Sequence, residues 1–219
     1  TSDQALPCNQ QVVPLNEQIL RGFGCPLNPQ SRILDFGCGS GRHTYEFLEA
    51  GYGEVYGFDI QDYVSLRDEG DRRRFSFLED PANFRLPYPD KHFDLVTSTS
   101  VFEHVMDPDP SIREIARILK PAGAIQARWW LALWAGLGVR NEYQRGLSAR
   151  ETTLRNLEYC ASGVRYPGYR QIDREWRRHF ASVEHVERAY IDATRHFSRA
   201  SRIASRLLRV APPLVGLYR

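Results

Sequence analysis

An acid and three glycines at alternate positions hold the most chemical promise in the chain: Asp35, Gly37, Gly39 and Gly41, in RILDFGCGSGRHTYEF. Glycine lets a backbone turn sharply out of a strand and lie directly against a ligand, where a Cβ would collide. A second acid, Asp59, follows 18 residues after Gly41 and closes the apolar run EVYGFD. A carboxylate at the carboxyl end of a strand, beside such a turn, accepts both hydroxyls of a ribose. The spacing also separates nucleotide classes. A dinucleotide loop reads G-x-G-x-x-G, whereas this one reads G-x-G-x-G with an acid two residues ahead.

The pattern Asp35-x-Gly37-x-Gly39-x-Gly41 resembles motif I of class I S-adenosylmethionine-dependent methyltransferases. Three later segments narrow the resemblance to the branch called methyltransferase type 11, which includes quinone-biosynthesis methyltransferases. LPYPDKHFDLV, starting at Leu86, is similar to the branch's L-P-F-x-D-x-x-F-D-x-V. TSVFEHV, starting at Thr99, matches its s-x-x-x-x-H-v segment. IARILKPAG, starting at Ile115, matches x-x-R-v-L-K-P-G-G, with Ala122 in place of the usual first glycine. The resemblance covers residues 32–129, less than half of the chain.

This resemblance implies methyl transfer from S-adenosylmethionine, leaving S-adenosylhomocysteine, to a small-molecule acceptor such as a sugar, a lipid-linked glycan or another secondary metabolite. It places Gly37, Gly39 and Gly41 against the methionine and ribose side, with Asp35 positioning the loop or meeting the amino group. Asp59 would take the ribose hydroxyls, Ile60 would pack on adenine and Asp80 would bond it. Ser98, Thr99, Ser100, Val101 and His104 would lie closest to the sulfonium. A base is needed only where the acceptor must lose a proton. His104 is then the candidate, an imidazole that titrates near neutral pH, with Glu142 or Tyr143 next; the other reading of His104 is a side chain that shapes the pocket by hydrogen bonding. Two rivals stay open, a non-catalytic protein that keeps the cofactor fold and a nicotinamide-dependent oxidoreductase, although the latter predicts the dinucleotide glycine spacing.

The strand-turn-helix-strand order calls for an α/β fold, and the resemblance implies its form: a Rossmann-like, seven-stranded, mostly parallel sheet with an antiparallel last strand and helices on both faces. The expected first five strands are the apolar run of Ile33, Leu34 and Phe36, the apolar run ending at Asp59, and residues 74–78, 93–98 and 124 to about 129, with strands six and seven over 182–191 and 213–218. Helices are expected over 15–22, 42–50, 61–70, about 148–160 and 169–180. A further helix should start with Asp109 as its cap and Pro110 in its first position, and stop at KPAG. One domain is expected, made of a cap segment (1–31), a cofactor core (32–129), a lid insertion (130–168) and a C-terminal completion (169–219).

Composition fits such a domain. Of the 219 residues, 42% are hydrophobic and 26% charged, as in soluble globular proteins. Cys8, Cys25, Cys38 and Cys160 are too scattered for a C-x-x-C metal or redox pair, and no metal site is expected. The first residues lack a basic stretch followed by a long apolar run, and the apolar WWLALWAGLGV after Arg128 is about half of a bilayer span. A cytoplasmic location is expected. The net charge of +2 hides a polarity: residues 1–139 carry 13 basic and 19 acidic side chains, whereas 140–219 carry 16 and 8. Arg195, Arg199, Arg202, Arg206 and Arg209 recur at helical spacing, so 195–209 reads as a basic amphipathic helix that would meet a membrane surface or an anionic substrate, or simply face solvent. No nucleic-acid module is recognisable.

Overall fold

The structure is a computed structural model, and it describes residues 12–80, 83–99, 101–102, 105, 107–128, 148, 150–151, 154, 169–185 and 215–218. The expected basic helix over 195–209, nearly all of the lid, His104 and Ser100 lie outside these residues.

The chain opens with α1 (Val12–Gly22), then β1 (Ile33–Phe36), α2 (Arg42–Glu49), β2 (Val55–Asp59), a 3-10 turn (Glu69–Arg74) and β3 (Phe75–Phe77). It continues with β4 (Phe93–Thr99), α3 (Asp109–Ile118), β5 (Leu119–Arg128), α4 (Tyr169–His179), β6 (Val183–His185) and β7 (Val215–Tyr218). The sheet order is β3-β2-β1-β4-β5-β7-β6. Strands β1 to β5 pair in parallel, and β7 runs antiparallel to both β5 and β6. The strand order reverses beside β1, so the carboxyl ends of β1 and β4 border one crevice, the place where open α/β sheets bind ligands.

Strand alternation sends neighbouring residues to opposite faces. Ile33, Val55, Leu95 and Ala124 join Val13, Ile19 and Leu20 of α1 and Phe47 of α2 in one core. Leu34, Phe58, Val96 and Ile125 join Ile112, Ile115 and Ile118 of α3 and Trp176 of α4 in the other. The apolar runs of the parallel strands are thus explained by burial on both sides.

Several boundaries differ from the sequence expectation. Residues 61–68 are not helical. Asp62 Oδ1 accepts from Val64 N–H and Asp68 Oδ1 from Gly70 N–H, and such side-chain bonds draw the backbone away from a helix; only the 3-10 turn at Glu69–Arg74 forms. Asp109 is inside α3 rather than its cap, since Pro108 precedes the helix, and the Asp109 carboxylate accepts from His179 Nε2 of α4 at 2.8 Å. Strand β5 starts at Leu119, five residues early, and pairing jumps from Phe93–Leu119 to Leu95–Ala124. Lys120 in that irregular stretch gives its ammonium to both oxygens of Asp94, at 2.7 and 2.8 Å. In the expected helix near 148–160, residues 150, 151 and 154 are helical, and Ser148 and Glu151 exchange the hydrogen bonds of a capping box.

Arg117 holds the proline loop that feeds β4. Its guanidinium donates to Glu114, to Asp90 and to the carbonyls of Leu86 and Tyr88, while Glu114 accepts from Leu86 N–H at 2.9 Å. The arginine and the proline segment of the two family-like stretches are therefore one structural unit.

Candidate functional site

The glycine loop is stitched to the end of β2. Gly37 N–H and Cys38 N–H both donate to Phe58 O, at 2.8 and 3.0 Å. Asp59 then closes the arrangement: Oδ2 accepts from Gly39 N–H and Oδ1 from Ile60 N–H, each at 2.7 Å. A carboxylate offers about four lone-pair sites, so two remain beyond those the backbone uses. Ile60, next to it, is 59% exposed, an apolar side chain left facing solvent beside an acid.

Backbone conformation explains two of the glycines. Gly37 has φ +77°, and a Cβ there would sit 2.2 Å from Val101 Cγ2. That close approach brings the segment after β4 onto the glycine loop. Gly39 has φ +51°, and its missing Cβ would meet nothing within 4 Å. The first glycine is demanded by packing and conformation together, and the second by conformation alone on the open side of the loop.

Asp35 is 2% exposed and accepts from Thr44 Oγ1 of α2 at 3.0 Å. Burial, the dominant influence, raises its pKa above the ordinary carboxylate value against the opposing effects of His43 and Thr44. Asp35 thus sits beneath the loop and ties it to α2. Burial, reinforced by the charges of Asp35 and Asp59, pushes the Cys38 thiol up and keeps it protonated, so Cys38 is a packing group. At the start of α2, His43 Nδ1–H and Arg42 Nε–H both donate to Glu46. Burial of Glu46 opposes these bonds, but its pKa is nevertheless lowered.

The remaining sequence candidates lie just past β3 and at the end of β4. Asp80 is exposed just past β3, and its carbonyl accepts from Asn83 N–H. Ser98 and Thr99 end β4; Ser98 is fully buried, and its hydroxyl has no hydrogen-bond partner among the described residues. Val101 packs on Gly37. Among the described residues no group of three or more His, Cys, Asp or Glu is placed to hold a metal ion.

Sequence reasoning passed over two supporting residues, Thr44 and Gly57, and the contact that the candidate Val101 makes. Thr44 anchors Asp35, and the signal was a hydroxyl on the apolar face of α2, one turn before Phe47. Gly57 of β2 leaves room for its neighbours, since a Cβ there would lie 2.6 Å from Phe75 Cδ1 and 3.0 Å from Cys38 Sγ. Val101 closes on Gly37, a contact between distant parts of the chain that no local pattern carries.

Residues 34–127 match a family model described as a methyltransferase domain. The core from β1 to β5 is therefore similar to methyltransferase domains over less than half of the chain. The match spans the glycine loop, Asp59, the proline loop, β4 and α3, and stops within β5. Over 105 residues the chain is 35% identical to the ubiquinone/menaquinone biosynthesis C-methyltransferase UbiE of Shewanella sp. (strain W3-18-1), covering 44% of this chain and 41% of that protein. The chain thus spans less than half the length of the curated relatives it matches. Among solved structures, an S-adenosylmethionine-dependent methyltransferase from Mesorhizobium loti shares the fold with a TM-score of 0.53 at 17% identity, covering 94% of this chain and 100% of that one. Phosphoethanolamine N-methyltransferase 2 of Haemonchus contortus, in complex with phosphomonomethylethanolamine and S-adenosylhomocysteine, gives 0.53 at 18% identity, over 94% of this chain and 52% of that chain. At these identities the structural likeness concerns the methyltransferase fold alone. Among the described residues no helix is long and apolar enough to cross a membrane.

Proposed function

We propose that the protein transfers a methyl group from S-adenosylmethionine to an uncharacterised small-molecule acceptor. The observation that carries this reading is the Asp59 carboxylate, fixed by two backbone N–H groups beside an open glycine loop. Its two remaining lone-pair sites suit the two hydroxyls of a ribose, and the exposed Ile60 beside it suits an apolar ring face. Asp80, past the neighbouring strand, is the partner for an exocyclic amine of that ring. The family match supports the same assignment, because it covers this half of the chain and little else.

When bound, the cofactor supplies an electrophilic methyl on a sulfonium. The chain's share is to align and to enclose. Holding nucleophile, methyl and sulfur collinear contributes several kcal/mol, about 7–11 kcal/mol in well-oriented systems. Asp35 and Thr44 fix the glycine loop to α2, and Val101 fixes it to the end of β4. His104 is proposed as the group that accepts a proton where the acceptor is a hydroxyl or a carbon acid. The curated relatives are named as C-methyltransferases, but the shared 105 residues leave the acceptor-binding half unmatched, so a sugar, a lipid-linked glycan or another metabolite remains the proposed acceptor class.

Calorimetric titration with S-adenosylhomocysteine tests the cofactor assignment. Micromolar binding to the wild type, lost in Asp59→Ala and absent for NADH, is expected. A folded protein that binds NADH and not S-adenosylhomocysteine would overturn the assignment in favour of a nicotinamide enzyme. Turnover is a separate question, answered by screening acceptors with radiolabelled cofactor; binding without methylation of any acceptor would point to a non-catalytic partner protein.

A further inference from the structure

The sheet face beneath α1 carries, beside Asp35, polar side chains that the cofactor reading does not use. Register sets Asp35, Thr97 and Gln126 side by side on β1, β4 and β5. Ile33, Leu95 and Ala124, two residues earlier on the same strands, all pack in the core formed with α1 and α2, so this row faces the same way. Asn16 lies between Val13 and Leu20 on the stripe of α1 that enters that core. Asn16 and Gln126 are each 1% exposed. Among the described residues, nothing pairs with Asn16 Oδ1 or with either atom of the Gln126 amide. A buried amide with both atoms unpaired is costly, and β5 at this point is otherwise built of apolar side chains such as Ala124 and Ile125.

We propose that Gln126, together with Asn16, is the specificity subsite for the methyl acceptor, and that it takes an uncharged edge with a hydrogen-bond donor and acceptor side by side, as a lactam, a primary amide or a vicinal hydroxy-carbonyl presents. This rests on the methyltransferase reading. The row starts at Asp35, two residues before Gly37, and lies two residue pairs below the Thr99–Arg128 pair that ends β4 and β5. It is therefore beneath the crevice mouth on the β4–β5 side, next to the place proposed for the reactive methyl. A primary amide offers an acceptor oxygen and two N–H donors, so it matches a donor–acceptor edge in a bidentate pair. Selection is for an uncharged group, because a buried carboxylate or phosphate would share the row with the Asp35 carboxyl.

The test uses the 219-residue chain with S-adenosylhomocysteine and two small probes followed by NMR titration: 2-pyridone, which has the donor–acceptor edge, and N-methyl-2-pyridone, which lacks the donor. The expected result is at least about tenfold tighter binding of 2-pyridone to the wild type, which corresponds to roughly 1.4 kcal/mol. Gln126→Leu should erase that preference, leave S-adenosylhomocysteine affinity unchanged and raise Tm by a few degrees, because an unpaired buried amide has been removed. Equal binding of both probes to the wild type overturns the proposal. So does a Gln126→Leu protein that gains Tm yet keeps the preference, which would mean that the amide holds only water. If that variant fails to fold, Asn16→Leu carries the same test, with retained preference as the overturning result. Failure of the wild type to bind S-adenosylhomocysteine would instead overturn the cofactor assignment, so the two failures are distinguishable.

Discussion

Alanine at the first and second glycines of the loop should separate stability from binding. Gly37 has φ +77°, and its added Cβ would lie 2.2 Å from Val101 Cγ2 and 2.9 Å from Cγ1. Left-handed backbone costs a non-glycine residue about 1–2 kcal/mol. Overpacking adds about 1–3 kcal/mol, so Gly37→Ala should destabilise the protein by roughly 2–5 kcal/mol. Gly39 has φ +51° with nothing within 4 Å of the missing Cβ, so Gly39→Ala should cost only the conformational part, about 1–2 kcal/mol. Its methyl projects to the open side of the loop, and binding of S-adenosylhomocysteine should weaken by about tenfold or more, as one displaced hydrogen-bonded contact is worth about 1.4 kcal/mol in affinity. Urea unfolding gives the stabilities, and calorimetry gives the affinities. In a Val101→Ala background most of the packing share of the Gly37→Ala cost should go, with only Val101 Cβ left 3.1 Å away, while the conformational share persists, giving a coupling of about 1–3 kcal/mol. The reasoning is refuted if Gly37→Ala is as stable as the wild type, or if Val101→Ala gives no relief.

Other consequences follow from buried charges elsewhere. Arg117→Ala would leave Glu114 largely buried without its cation and would orphan the carbonyls of Leu86 and Tyr88, which should cost about 3–5 kcal/mol in urea unfolding; Arg117→Lys should recover little, since an ammonium cannot span these acceptors. Burial tends to raise the Glu114 pKa, but the bonds from Arg117 and Leu86 N–H prevail and hold it below its ordinary value of 4.5. A depressed folded-state value contributes stability above that ordinary value and loses it as pH falls through the folded one, so the urea midpoint should drop below about pH 4.5 and drop less steeply in Arg117→Ala. Asp35 has the opposite sign, since burial above all raises its folded value. Asp35→Asn should therefore raise the urea midpoint at pH 7, and the gain should shrink as pH falls toward the ordinary value of 3.8; a gain that is independent of pH would refute the assignment of burial as the cause.

Much of the core was legible because its signals are local. The glycine triplet, the strand after it and the acid that ends β2 depend on φ angles and on period-two patterning, and these are properties of a few adjacent residues. The 61–70 stretch misled because its helical composition was opposed by aspartates that bond their own backbone. Asp109 looked like a helix cap until His179, 70 residues away, claimed its carboxylate. The register jump at β5 falls where Lys120 reaches Asp94 on the neighbouring strand, and no short window of sequence contains both.

By itself the sequence determined most of the order of elements, the residues lying at the carboxyl ends of β1 and β2, and a glycine loop with the spacing seen in methyltransferases. Only the tertiary structure decided what those residues touch. It buried Asp35 on Thr44 and bound Asp59 to two backbone amides. It pressed Val101 against Gly37 and gathered Asn16, Thr97 and Gln126 onto one face from three separate segments. The physical reason is range: backbone conformation and periodicity act over a few residues, whereas burial, pairing and orphaned polar atoms are fixed by which distant strands become neighbours.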